Sequence, residues 1–334
     1  MRAERLVPLA VAAVLVAAWL SGTGTHAAFL DTENNPGNQL SAAPDWRPPM
    51  VARATVQKAE GGLGGYVRSG AQYTVVANAV DDPSSNPPAG VAAVSANAST
   101  LTTGAAAVAL GATTSTVGAE SYTHRSGSLT VPAGRTAGTY NLGVTATDAA
   151  TPANTSASFP FPAIVDNTAP AASNLVIVNG GIAGRPDARD TVTFTWNDVV
   201  DPHSVLAGWV GTSTPVTAQI TNIGGNTGDT LSIRNAANTA ALPLGTVALD
   251  IRGYVTSNTT FGGPTNATRS TMTWNGGNSV TVTFGPADLP GTVNTTSTAT
   301  STYTWTPTTT VFDRAGNLSS TAPFIETGPN DREF

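Results

Sequence analysis

Histidines, carboxylates and aromatic loop residues are the groups through which a chain without cysteine can do chemistry, and here they are few. Of three histidines, His26 lies in an N-terminal apolar leader, while His124 and His203 fall in different halves of the chain. A Ser-His-Asp site needs one of them beside an activated serine, and no G-x-S-x-G elbow occurs. His203, within Asp201-Pro202-His203-Ser204, reads as a surface loop residue. The zinc-protease spacing H-E-x-x-H and the phosphate-cradling glycine motifs are both absent. After the leader the glutamates are Glu33, Glu60, Glu120, Glu326 and Glu333, so a glycosidase-type pair would have to draw on aspartates, and nothing in the sequence brings such a pair together. Asp81, Asp82, Asp148, Asp166 and Asp313 fall where strand-like segments end. Calcium takes carboxylate and carbonyl oxygens at such places, but with no EF-hand loop or nonapeptide repeat the expectation is Asx-turns. Trp209, in Leu206-Ala207-Gly208-Trp209-Val210-Gly211, could stack on a sugar; packing into a core or its rim is the commoner fate and is expected. The residues therefore predict no catalysis, no metal and no cofactor.

Composition narrows the class. Without cysteine, disulfide-stapled modules, zinc-thiolate sites and thiol nucleophiles are excluded. Net charge is −6, or −7 once the leader with Arg2, Arg5 and Glu4 is removed. Lys58 is the sole lysine and no basic run occurs, so the positive stripe that nucleic-acid binding requires is missing. Charged residues make up only 11%, and the polar surface falls to Thr, Ser and Asn. Threonine's branched Cβ fits the pleat of an exposed strand face, which points to an all-β extracellular protein.

Residues 1–27 read as a signal peptide. Arg2 and Arg5 precede the apolar run Leu6–Leu20, followed by small polar residues, with Thr25 and Ala27 at the −3 and −1 positions of a cut before Ala28. Fifteen helical residues span roughly 22 Å, short of the roughly 30 Å hydrocarbon core, which favours cleavage over an uncleaved anchor, the alternative. Beyond the cut, Ala28-Phe29-x-Asp31-Thr32-Glu33-x-x-x-Gly37-Asn38, with Asp45-Trp46 further on, resembles the junction of proteins processed by SipW-type signal peptidases, among them the camelysin and TasA-like proteins of Gram-positive surfaces and biofilm matrices. The resemblance covers roughly residues 10–46. It implies that Thr25, Ala27, Ala28, Phe29, Asp31, Thr32, Glu33, Gly37 and Asn38 are read by a dedicated peptidase, and that the mature chain lives outside the membrane, secreted or at the cell surface. It does not extend to the cargo.

Residues 28–49 form a junction and linker ending in Arg47-Pro48-Pro49, extended by its prolines. Two readings of this stretch stay open. It is a spacer, which its Asn/Gly/Pro/Ala content favours, or a strand donated to the free sheet edge of another copy.

Two β-sandwich modules are expected after it, at 50–168 and, larger, at 169–327, with a polar tail at 328–334. In the first, Tyr73, Val75, Ala77 and Ala79 alternate as a strand face, and Tyr140, Leu142, Val144 and Ala146 do so most clearly. In the second, Thr191–Trp196 reads as a half-buried strand, and Met272 and Trp274, the Asn275-Gly276-Gly277 turn and Val280, Val282 and Phe284 read as a hairpin. No segment after residue 46 keeps a 3.6-residue apolar period, so little helix is expected. The pattern G-x-Y-x-L-x-V-x-A-x-D at Gly138–Asp148, the D-N-T-A-P joint at Asp166–Pro170 and the D-x-A-G-N loop at Asp313–Asn317 resemble bacterial immunoglobulin-like domains. The resemblance implies two tandem immunoglobulin-like sandwiches, with Tyr140 burying its ring and bonding its hydroxyl to nearby backbone. The stretch Glu326–Phe334 is polar and holds no L-P-x-T-G sorting motif, so no re-anchoring is expected. Together these readings predict an exported bacterial surface or matrix protein for adhesion, spacing or assembly, in contact with the membrane only through its leader. Its partners would be signal peptidase during export and then its own copies or a surface component. The rival is a secreted carbohydrate-binding or glycan-hydrolysing protein with its site in the second module.

Overall fold

A computed structural model describes residues 45–84, 88–223, 228–250, 253–294 and 300–327, with 332 and 334. The leader and all nine residues read as its processing signal lie outside the described residues. Among those described, no helix is long and apolar enough to cross a membrane.

The chain is all-β and forms two tandem β-sandwich-like domains. The first carries β1 (Met50–Lys58), β2 (Tyr66–Val67), β3 (Gln72–Val80), β4 (Val91–Asn97), β5 (Val108–Gly111), β6 (Ser115–Val117), β7 (Glu120–Tyr122), β8 (His124–Ser126), β9 (Leu129–Thr130), β10 (Gly138–Asp148) and β11 (Phe159–Val165). Its main sheet runs β1-β3-β8-β5-β4-β10-β11-β2, with β9 beside β3. The sheet folds over until β1 packs against β10 and β11, enclosing Val75, Val94, Leu142, Phe161 and Val165 among small alanines. Tyr73, Val75, Ala77 and Ala79 do share the buried face, but β3 is covered on its other face too. There the β6–β7 hairpin lays Val117 and Tyr122 over Val76. Neither hairpin strand alternates over enough residues to show in the sequence. Tyr140 is half-buried, and its hydroxyl donates to Thr136 O at 2.9 Å, the predicted backbone bond.

The second domain carries β12 (Ala172–Val178), β13 (Thr191–Trp196), a helical turn α1 (Pro202–Val205), β14 (Thr214–Thr221), β15 (Thr230–Asn235), β16 (Ala241–Ala248), β17 (Thr259–Phe261), β18 (Ser270–Trp274), β19 (Ser279–Thr283), β20 (Thr304–Thr306) and β21 (Phe324–Ile325). The order is β12-β13-β19-β18-β14-β15-β16-β20-β21, with β17 beside β14. The β18–β19 hairpin forms as predicted, pairing Met272 with Val282 and Trp274 with Val280. This core is aromatic where the first is aliphatic. Trp196 and Trp305 meet edge-to-face at 5.0 Å, and Trp305 Nε1–H donates to Leu244 O at 2.7 Å. The ends of the sheet are tied where the Tyr303 hydroxyl donates to Leu175 O. Phe334, read as part of a polar tail, is instead buried against Tyr254 and Phe284, because an aromatic ring gains more in that core than in water.

The loop between β12 and β13 is held by Asp190, which is fully buried and accepts N–H bonds from Gly180 (2.8 Å) and Asp187 (2.7 Å). Burial pushes its carboxyl up to about 6, against the pull of those two bonds. A carboxyl raised in the fold takes up a proton there between about pH 4 and about pH 6, while the unfolded chain does not. Its contribution is therefore largest below that window and is lost as pH rises through about 6. On shifting from pH 7 to pH 5, wild type should gain about 1 kcal/mol more than Asp190→Asn, read as the difference in urea midpoints. Equal gains would place the titration elsewhere.

Candidate functional site at the module joint

Two segments far apart in sequence build the joint. One is the end of β1 with the tight turn after it, Lys58 to Leu63. The other is the entry to α1. Asp201 caps α1, its Oδ1 accepting from His203 N–H at 3.0 Å, and Pro202 occupies the first helical position, where a missing N–H costs nothing. The stretch read as a plain loop is thus a capped helical turn.

Asp201 also reaches into the first domain. Lys58 Nζ lies 2.5 Å from Asp201 Oδ2, and both side chains are fully buried. Leu63 N–H donates to the same Oδ2 at 2.8 Å, and Lys58 Nζ donates to Leu63 O at 3.0 Å. The ring of Phe312 lies 5.4 Å from Nζ. Gly62 makes the approach feasible. Its φ is +78°, and a Cβ there would fall 2.3 Å from Asp201 Oδ2.

A cavity of about 270 Å³ adjoins this contact, walled by Gln57, Leu63, His203, Trp209 and Val210 from the two domains. His203, read as a surface residue, is half-buried here, and its Nδ1 accepts from Gly208 N–H at 2.9 Å. Trp209 is only 6% exposed, and its indole N–H donates to Thr212 O at 2.6 Å, so most of the ring belongs to the core, as expected.

The aspartates at the module ends form two matching sets. Asp148 Oδ1 accepts from Ala150 N–H (3.1 Å) and Asn154 N–H (2.8 Å), and its Oδ2 from Asn154 Nδ2 (2.7 Å). Asp313 repeats this with Ala315, Asn317 and the Asn317 side chain, each at 2.8 Å. The same asparagines reach back to the chain ahead of β1 and β12, to Asp45 O and Asp166 O. Asp82 and Asp166 likewise bond the backbone two residues on, at Ser84 and Thr168, the predicted Asx-turn geometry. Burial raises Asp313 despite its bonds from Asn317, whereas at Asp148 the bonds from Asn154 and Ala150 outweigh burial and hold the carboxyl low. The sets also gather carboxylates. Asp45, Asp81 and Asp148, and Asp166, Asp198 and Asp313, each offer oxygens within 4.8 Å of one another, hard donors of the kind calcium takes. In the sequence Asp45 stands out only with Trp46 in the leader junction, and Asp198 does not stand out. Asp45 Oδ1 accepts from Arg47 N–H at 3.1 Å, and Asp198 Oδ1 accepts from Val199 N–H at 2.6 Å.

Comparison of the chain with family models, with curated proteins and with solved structures found no match. What the fold itself defines is a tandem β-sandwich protein with a buried joint.

Two outcomes test this geometry. Gly62→Ala should cost about 3 kcal/mol, because the methyl group strikes the Asp201 carboxylate and the residue sits at positive φ. Gly70→Ala, at φ +75° with nothing within 4 Å, should cost only about 1 kcal/mol. Chemical denaturation of both variants checks it, and equal costs would show that the contact with Asp201 is not tight. Chelation by EDTA should leave the melting temperature unchanged if the aspartates serve only as turn caps. A fall of several degrees, restored by calcium, would assign the two triads to a cation, since a ligand of the native state stabilises it by mass action.

Proposed function

We propose that the chain is an exported bacterial surface or matrix protein with a structural or adhesive role and no catalytic activity. The observation that carries this reading is the joint. Two sandwich domains meet through a fully buried lysine–aspartate contact, which suits a rod of fixed geometry better than a pair of domains that must open around a substrate. The leader junction with its SipW-type resemblance supports export, with a signal peptidase as the first partner. The immunoglobulin-like motifs support a modular surface role, with the mature chain secreted or held at the surface and meeting its own copies or a matrix component.

The rival, carbohydrate binding or hydrolysis, draws on one feature, the cavity walled by Trp209 and His203. Sugar recognition relies on an exposed ring face, and Trp209 offers little area. Purified mature protein should neither turn over chromogenic glycosides nor bind arrayed glycans saturably. Saturable binding abolished by Trp209→Ala would transfer the assignment to the rival, and turnover would remove the claim that no catalysis occurs.

A further inference from the structure

The chain uses arginine for its long cations, fourteen against a single lysine. That lysine is among the largest fully buried side chains, against a buried aspartate of the other domain. An ion pair could have been made with arginine, whose guanidinium pairs with carboxylate in two parallel bonds. What lysine alone offers is a compact primary amine that can act as a nucleophile.

We propose that Lys58 and Asp201 react to form an isopeptide bond, an amide between Nζ and Cγ that joins the two domains covalently. The geometry is that of reactants held in place. Nζ touches Oδ2 at 2.5 Å. The carboxyl is fixed from both oxygens by backbone donors, Leu63 N–H on Oδ2 at 2.8 Å and His203 N–H on Oδ1 at 3.0 Å. The amine is fixed by Leu63 O at 3.0 Å. Holding the amine and the carboxyl together replaces a bimolecular encounter by an intramolecular one.

The steps balance without any oxidant or cofactor. A proton passes from Nζ to Oδ2 across the short contact, leaving a neutral amine and a carboxylic acid. The Nζ lone pair attacks Cγ, the Cγ–Nζ bond forms, and the carbonyl electron pair moves onto Oδ1, where the His203 N–H stabilises it. Nζ then gives a proton to the Oδ2 hydroxyl. The Cγ–Oδ2 bond breaks, water leaves, and the pair on Oδ1 restores the C=O. The amide keeps one N–H, which Leu63 O is placed to accept. Asp201 lines the neighbouring cavity, which gives the water a way out. Gly62 has no Cβ to separate the reacting groups.

The bond does not depend on an adhesive role and is detected without reference to one. Purified, folded full-length protein is denatured and digested with trypsin. The expected product is peptide 54–68, uncut after Lys58, joined to peptide 190–234 and one water lighter than the two together, in most molecules. Lys58→Arg should abolish the joined species. Asp201→Asn should give the same linked product, with ammonia rather than water lost, because the amine can displace ammonia from the side-chain amide. Recovery of 54–58, 59–68 and unmodified 190–234 in full yield from cooperatively folded wild type would overturn the proposal. Wild type alone decides the point even if neither variant folds.

Discussion

The contact between Lys58 and Asp201 is, among the described residues, the ion pair with both side chains fully buried, and it lies across the joint between the two domains. Burying an ammonium and a carboxylate costs several kcal/mol per ion, and the cost is offset only when every remaining donor and acceptor is satisfied. The surroundings supply partners to both oxygens of the carboxylate and to two of the three ammonium donors. Leu63 supplies both an N–H and a carbonyl, His203 supplies an N–H, and the Phe312 ring lies beside the cation. The contact calls for a glycine at 62, a turn that presents Leu63 twice, and a helical turn whose capping aspartate reaches the other domain. The β1 end and the α1 entry are therefore shaped by each other.

The ends of the modules follow a second rule, used twice. An aspartate bonds its own loop backbone, and an asparagine a few residues on returns to the aspartate and to a backbone carbonyl a few residues ahead of β1 or β12. The device ties the loop before the last strand of each sandwich to the chain entering its first strand, without disulfides, using short side chains the composition has in abundance. Identical wiring does not make identical chemistry. Asp313 is raised by burial, whereas Asp148 is held low by its hydrogen bonds, so the environment separates two residues that the motif equates.

The cores differ in what holds them. The first is built from valine and alanine and needs a hairpin laid over β3 to bury that strand on both faces. The second concentrates tryptophan and phenylalanine around edge-to-face rings, with most buried aromatic N–H and O–H groups turned to backbone carbonyls. Large rings bury more area per residue than alanine.

The sequence by itself determined the all-β class, the division into two modules, and those elements whose apolar residues alternate over a full strand. Thr191–Trp196, the hairpin from Ser270 to Thr283 and Gly138–Asp148 were legible because a strand with one buried face must repeat every second residue. The aspartate turns were legible too, since an Asx-turn is closed within a few residues. Only the tertiary structure decided the rest. β1 carries no clean alternation, because its burial changes from partial to complete along its length. Asp201, His203 and Trp209 were visible as residues, but their partner Lys58 lies 143 positions away from Asp201 and was notable in the sequence only for being alone. Periodicity records which face a residue shows to its own sheet. It carries no information on how two finished sheets dock, and docking is what buries this lysine against its aspartate.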